Sequence, residues 1–434
     1  MLSLRNLAPL FTLLVLGEFA AAQTVVNSTY DGGCQQTYSD PNCWMPAEVP
    51  ANIAGKQYNV TIPDQATIVV DVSATVSNLN LTGYAYFPNR TFTVTGTTAI
   101  PVDDFFHVII TSDGTAPSLF NAGTLSTFSG KTLRGRYSIG NDGGGHATLQ
   151  FNGADVITLS EGALFLGPLS TVKDELGNDG LRNLARIDSS GELALFANSL
   201  TIARPFTNDG TLSVGDASAS TVFTATVALT NFDPADRTLR GGKFLIPYSV
   251  TDPGPLQEIR FNGADIVNNG SFISLGGAAS RIADLAGNDG LRNFAHNLSG
   301  ASFYLYARNF TTLGSFQNDG LLSSQRSTFS VTGSFANFDP GTRTLSGGVF
   351  ELIDEAVLRF GGADIVRNGS SLTLIGNSGI ADSSGGNGLR NFSENLATGT
   401  FILGPIQDFS PSGNFTNQGK IETMENLGGI PEFP

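Results

Sequence analysis

The chain has 434 residues, a formal charge of −15, 23 Lys and Arg against 38 Asp and Glu, 2 Cys, 3 His and a single Trp. That balance excludes a protein built to neutralise a phosphate backbone, so no nucleic-acid partner is expected; two cysteines exclude a multi-disulfide scaffold or a four-thiolate zinc site. A 40% hydrophobic share with 31 Phe is enough to bury a core and excludes wholesale disorder.

Residues 1–22 read as a signal peptide. Arg5 supplies the positive start, Leu7 to Leu16 is an apolar run too short to span a bilayer, and Ala20-Ala21-Ala22 is a small-residue cleavage site. Cleavage after Ala22 leaves Gln23 at the mature N-terminus, and the expected location is extracellular, with cell-surface association as a further expectation. No later run approaches the ~20 apolar residues of a transmembrane helix. Residues 427–434 read as a short tail without the apolar stretch of a lipid-anchor signal.

Residues 23–118 read as an N-terminal cap and first coils. Period-2 alternation marks short strands at 60–62, 68–70, 76–81 and 92–95. Cys34 and Cys43 sit in a loop-like stretch with Asp40-Pro41-Asn42 between them. In an oxidising compartment they most simply bond to each other; two free thiols are the other reading, and a metal site from two thiols without an adjacent His is the weakest.

From there the chain repeats itself. Phe151-Asn152-Gly153-Ala154-Asp155 returns at Phe261 to Asp265 and as Phe360-Gly361-Gly362-Ala363-Asp364. Gly177-Asn178-Asp179-Gly180-Leu181-Arg182-Asn183 returns at Gly287 to Asn293, with Arg292, and as Gly386 to Asn391, with Arg390. Phe206 to Gly210 returns at Phe316 and Phe415, and Asn231-Phe232-Asp233-Pro234 returns at Asn337. The period is roughly 100 to 110 residues, giving solenoid units at 119–228, 229–334 and 335–426. Within each unit a glycine precedes alternating apolar residues about every 20 to 30 residues, as at Gly162, Gly191 and Gly242, which is the period of one coil of a stacked β structure. Asn-Gly, Asp-Gly and Gly-Gly pairs supply corners. The expected fold is therefore all-β, a right-handed parallel β-helix (β-solenoid) with an N-terminal cap, holding about four coils per unit. Surface insertions are expected near Gly143-Gly144-Gly145 and Pro253-Gly254-Pro255.

The string Asn231-Phe232-Asp233-Pro234, Thr238-Leu239, Gly241-Gly242, Phe261 to Val267 and Leu291-Arg292-Asn293-Phe294 resembles the secreted bacterial beta strand repeat proteins. The earlier Asn42-Cys43-Trp44, Asn59 to Asp64 and Val70-Asp71 are similar to the opening coils of that group. The resemblance covers most of the mature chain. It implies an extracellular, parallel β-helical surface or matrix protein and transfers no catalytic residue.

Chemistry is weighed against that reading. A polysaccharide lyase or hydrolase on such a fold needs clustered carboxylates, or calcium with a nearby base. The candidates are Asp155, Asp265 and Asp364 with Arg182, Arg292 and Arg390; their recurrence in every unit points to coil geometry, with the Asp capping a turn by accepting backbone N–H groups. Asp179 and Asp209 resemble calcium-loop fragments, but Asn387 and Gln418 replace them in the third unit. His107 near Asp103-Asp104 reads as solvent-facing or capping, and His146 and His296 stand alone. Phe206, Phe316 and Phe415 read as core in preference to a sugar-stacking stripe. Sequons include Asn27, Asn59, Asn89, Asn309 and Asn414. The expectation is a structural or adhesive protein with no catalytic residue, metal or cofactor, whose partners are extracellular polysaccharide or cell-surface components, self-association being open.

Overall fold

The computed structural model describes residues 23–32, 34–140, 145–215, 219–247 and 254–424. The expected signal peptide, the 427–434 tail and, of the two expected insertions, Gly143, Gly144 and Pro253 lie outside them. The protein is all-β, 51% strand and 1% helical; the helical part is one 3₁₀ turn, Pro41–Cys43. None of the helices among the described residues is long and apolar enough to cross a membrane.

Strands stack in parallel. In the longest sheet Thr132–Ile139 pairs with Thr158–Leu166, which pairs with Gly191–Leu195, then Thr211–Val214, then Thr238–Ile246. The same walk continues through Asn268–Gly276, Ser302–Tyr306 and Leu321–Gln325 to Thr344–Ile353, and ends on Lys420–Thr423. Each repeat thus contributes four strands before its motif recurs. A second wall of shorter parallel strands follows beside it, for example Thr221–Ala225, Gln257–Phe261 and Ser280–Ala283.

The alternation in the sequence accounts for this packing. Leu193, Leu212, Phe244, Ile273 and Phe303 align in one column, each at most 1% exposed. Their neighbours Glu192, Thr211, Lys243 and Phe272 point the other way. Phe206 and Phe316 are buried as expected, whereas Phe415, near the last strand, is only partly buried against Phe392. The expected strand at 76–81 breaks at Ser77 into Ala74–Val76 and Asn78–Leu81, which belong to different sheets. Gly162, one of the glycines that precede the alternating runs, does not mark a corner but lies inside Thr158–Leu166 opposite Gly135. The Gly241-Gly242 pair does make an irregularity, since the register slips between Arg240 and Lys243. Gly242 has φ +66°, and a Cβ there would meet the Asn208 carbonyl oxygen at 2.2 Å, so no larger residue fits.

The interior also carries a polar ladder. Asn269, Asn297 and Asn318 stack with 0% exposure, Nδ2 of Asn269 donating to Oδ1 of Asn297 at 2.9 Å and Nδ2 of Asn297 to Oδ1 of Asn318 at 2.7 Å. Asn368 and Asn395, both buried, repeat it at 3.0 Å, and Asn395 passes the bond on at 2.9 Å to Asn417, which is exposed. Such amides satisfy one another and the adjoining backbone where water is absent.

The N-terminal end is closed differently. Trp44–Met45 runs antiparallel to Thr24–Tyr30, and Cys34 and Cys43 form a disulfide just before it. Trp44 is buried between Tyr30 and Tyr38, its Nε1 donating to the Tyr38 carbonyl at 2.9 Å.

Candidate functional site

The three repeated acids occupy one geometry. Asp155, Asp265 and Asp364 accept from the side-chain amides of Asn183, Asn293 and Asn391 at 2.5, 2.8 and 2.9 Å. Each also pairs with a cation just ahead of a long-sheet strand, Lys131, Arg237 or Arg343. Those cations have φ of 64°, 56° and 57°, a conformation that aims the side chain across the corner. The acids therefore bind side chains from neighbouring strands of the stack, and not the backbone N–H groups that the motif suggested. Hydrogen bonds from Lys131 and then Asn183 hold the Asp155 carboxyl below the usual range.

Arg182, Arg292 and Arg390 complete the clamp. Their Nη1 atoms donate to the carbonyls of Ala154, Ala264 and Ala363 at 3.1, 3.0 and 3.1 Å. They face the repeated acids at 3.8, 3.4 and 3.4 Å. The adjoining loops are pinned by Asp174, Asp284 and Asp382; Asp174 Oδ1, for instance, accepts from the backbone N–H of Leu176 and Asn178 at 3.0 and 2.8 Å. Asp179 Oδ1 accepts from Leu181 N at 2.9 Å and Asn387 Oδ1 from Leu389 N at 2.8 Å, so acid and amide do the same work there. Asp209 pairs with Arg186 at 2.6 Å.

The remaining candidates scatter. His107 is 3% exposed, not solvent-facing: Nδ1 meets the Gly83 carbonyl at 2.7 Å and Nε2 meets Asp103 at 2.9 Å. His296 pairs with Asp319 at 2.8 Å, and His146 is exposed. Cys34, Asp40 and Cys43 are the one grouping of possible metal ligands among the described residues, and its sulfurs are bonded to each other.

The arrangement with most chemical potential was missed in the sequence. A cleft of about 340 Å³ is lined by Asp103, Asp104, Arg136 and Glu161. Glu192, one coil further on, faces the same Arg136 at 3.8 Å. Burial pushes the Glu192 carboxyl up, against the opposing pull of Arg136 and Lys243. Arg136 also lies over the Phe106 ring, 4.7 Å from its centroid. Glu161 pairs with Arg134 at 3.1 Å and Asp103 with His107 at 2.9 Å, so among these acids it is Glu192 that faces Arg136. The cleft gathers acids and cations from neighbouring strands, an arrangement able to hold a polar polymer and, at Glu192, to deliver a proton. Its signal lies in departure from the repeat: by the spacing of the motifs, Glu161 stands where the later units have Ser271 and Ser370, and Glu192 where they have Ser302 and Thr400.

A second cleft, about 440 Å³, is lined by Asn309, Arg326, Asp354, Glu355, Asn377 and Ile406. Arg326, Asp354, Asn377 and Ile406 have φ of 51°, 49°, 59° and 59°, but Leu169 and Ala197 adopt the same form at 54° and 48°, so this is a corner geometry used elsewhere in the chain. No family model, no curated protein and no solved structure matches the chain.

Proposed function

We propose that the chain is a secreted structural or adhesive protein, a right-handed parallel β-solenoid with an N-terminal cap and without catalytic activity. The observation that carries this reading is the threefold clamp: the same Asp, Arg, Asn and cation recur in every unit and tie neighbouring coils together. Groups spent alike in three copies serve the scaffold. Right-handedness follows from strand twist, which makes nearly all parallel crossovers within one sheet right-handed. The resemblance to beta strand repeat proteins and the disulfide support an extracellular place, as does the apolar leader ending at Ala22.

The adhesive half is tested by incubating the purified chain with insoluble polysaccharides and cell-wall preparations. Retention supports it; a chain left wholly in the supernatant sinks it. N-terminal sequencing of exported protein should begin at Gln23, and a retained leader removes the secretion claim.

The Arg136 cleft favours a second reading, a carbohydrate-active enzyme of the lyase or hydrolase class. Release of unsaturated or reducing ends, with and without calcium, distinguishes the two. Activity that falls at least about a hundredfold in Glu192→Gln would replace the first reading with the second.

A further inference from the structure

We infer that the last long-sheet strand, Lys420–Thr423, is a self-complementary seam through which two copies of this chain pair tail to tail. Among the described residues Lys420–Thr423 pairs only with Thr400–Leu403, and all four of its residues are exposed.

Which backbone groups are free follows from the ladder. Gln418 N donates to Asn395, Lys420 N to Gly399 and Met424 N to Leu403, at 2.8, 2.9 and 2.9 Å. The even-numbered residues thus point back into the sheet, and in a parallel ladder the intervening residues turn both N–H and C=O the other way. Gly419, Ile421 and Thr423 therefore present donors and acceptors along the outer edge.

An antiparallel partner centred on Ile421 uses that parity. Ile421 exchanges both backbone hydrogen bonds with Ile421 of the second copy, and Thr423 does so with Gly419 on either side. Lys420 then falls opposite Glu422 in the close, non-hydrogen-bonded pairs, where side chains approach best. The Lys420–Glu422 contact within one chain, 2.6 Å, becomes two contacts across the seam. Ile421, 41% exposed and lying on the buried Phe401, meets its own copy, which continues the core across the junction. The register is isologous, so the assembly closes as a two-fold dimer and does not polymerise. The occupant is a second copy because the Lys-Ile-Glu order reads as its own complement when reversed.

Light scattering on the full chain should give twice the monomer mass at ~10 μM, in the range where ordinary interfaces of this kind associate. Lys420→Glu and Glu422→Lys should each weaken the dimer at least about tenfold by placing like charges opposite one another, and the double exchange K420E/E422K should restore it to within about threefold. All three changes are on exposed side chains, so melting temperatures of the monomers serve as the folding control. A monomeric full chain, which would result if another stretch lay on this edge, overturns the proposal, as does a dimer indifferent to all three variants.

Discussion

The first and second repeat units fill the same interior column with different chemistry. In the second, Asn269, Asn297 and Asn318 hand one amide hydrogen bond along three coils. In the first, the aligned residues are Leu159, Ile187 and Asn208. Asn208 keeps its donor bond to the Lys243 carbonyl at 2.9 Å, but its Oδ1 is buried without a partner, because Ile187 sits where an amide would donate. The column accepts apolar side chains or amides equally, provided that the run is continuous; the cost falls at the junction between them.

Asn297→Leu should have the largest effect, about 3 to 5 kcal/mol, since it takes the partner from one N–H of Asn269, whose other N–H keeps the Ser302 carbonyl, and from Oδ1 of Asn318, and removes the bond to the Leu321 carbonyl, all in a dry interior. Urea unfolding followed by circular dichroism measures it, and a loss below about 1 kcal/mol would show that the ladder is ornamental. Acidification should come next and strike all units alike, because amides do not titrate. Hydrogen bonds from Asn178, Asn288 and Ser384 hold Asp174, Asp284 and Asp382 below the ordinary carboxylate range. Groups with depressed values contribute stability that is present above the unfolded-state value, near 4, and lost as pH falls through the folded one. Melting temperature should therefore drop below about pH 4, equally in wild type and in ladder variants.

Ile187→Asn sharpens the comparison further. It supplies the donor that Asn208 lacks but carries the orphan oxygen to its own Oδ1, beside Leu159, so it should cost about 1 to 2 kcal/mol, whereas Leu193→Asn in the all-apolar column gains no partner and should cost about 3 kcal/mol or more. Equal losses in the two variants would break the account of the orphan oxygen. The smallest effect belongs to the outer ladder of the N-terminal region, where Asn78 donates to Asn59 at 2.8 Å and Asn59 to Asn27 at 3.0 Å in contact with water. Asn59→Ala should change stability by no more than about 0.5 kcal/mol, seen as a nearly unmoved unfolding midpoint.

Much of the architecture was legible because periodicity is a local property. Leu193 and Leu195 announce an inward face on their own, and Phe261 to Asp265 announces a unit by recurring. The ladder was not legible as such: Asn318 was visible within its motif, but nothing along the chain says that Asn297 lies beneath it. The orientation of Asp155 was half readable, since its recurrence marked a shared geometry while its partners Lys131 and Asn183 come from neighbouring coils. The cleft escaped because attention to repetition discards what occurs once, and Glu161 and Glu192 are informative by breaking the pattern. His107 was half readable: it does cap a backbone carbonyl, but that it is buried could not be seen, because Gly83, whose carbonyl meets its Nδ1, lies 24 residues earlier.

The equal spacing of Thr132, Thr238 and Thr344, each opening a strand at the same place in the walk, has a consequence for how such a molecule changes over generations. Splicing out or duplicating one whole unit joins a strand to a successor of its own kind, so span can grow or shrink in increments of about 19 Å with the strand register kept and only the column contacts at the joint altered. Reach is thereby set by copy number, like the sections of a telescoping pole, while single substitutions are left to decide what each stretch of the outer face can hold.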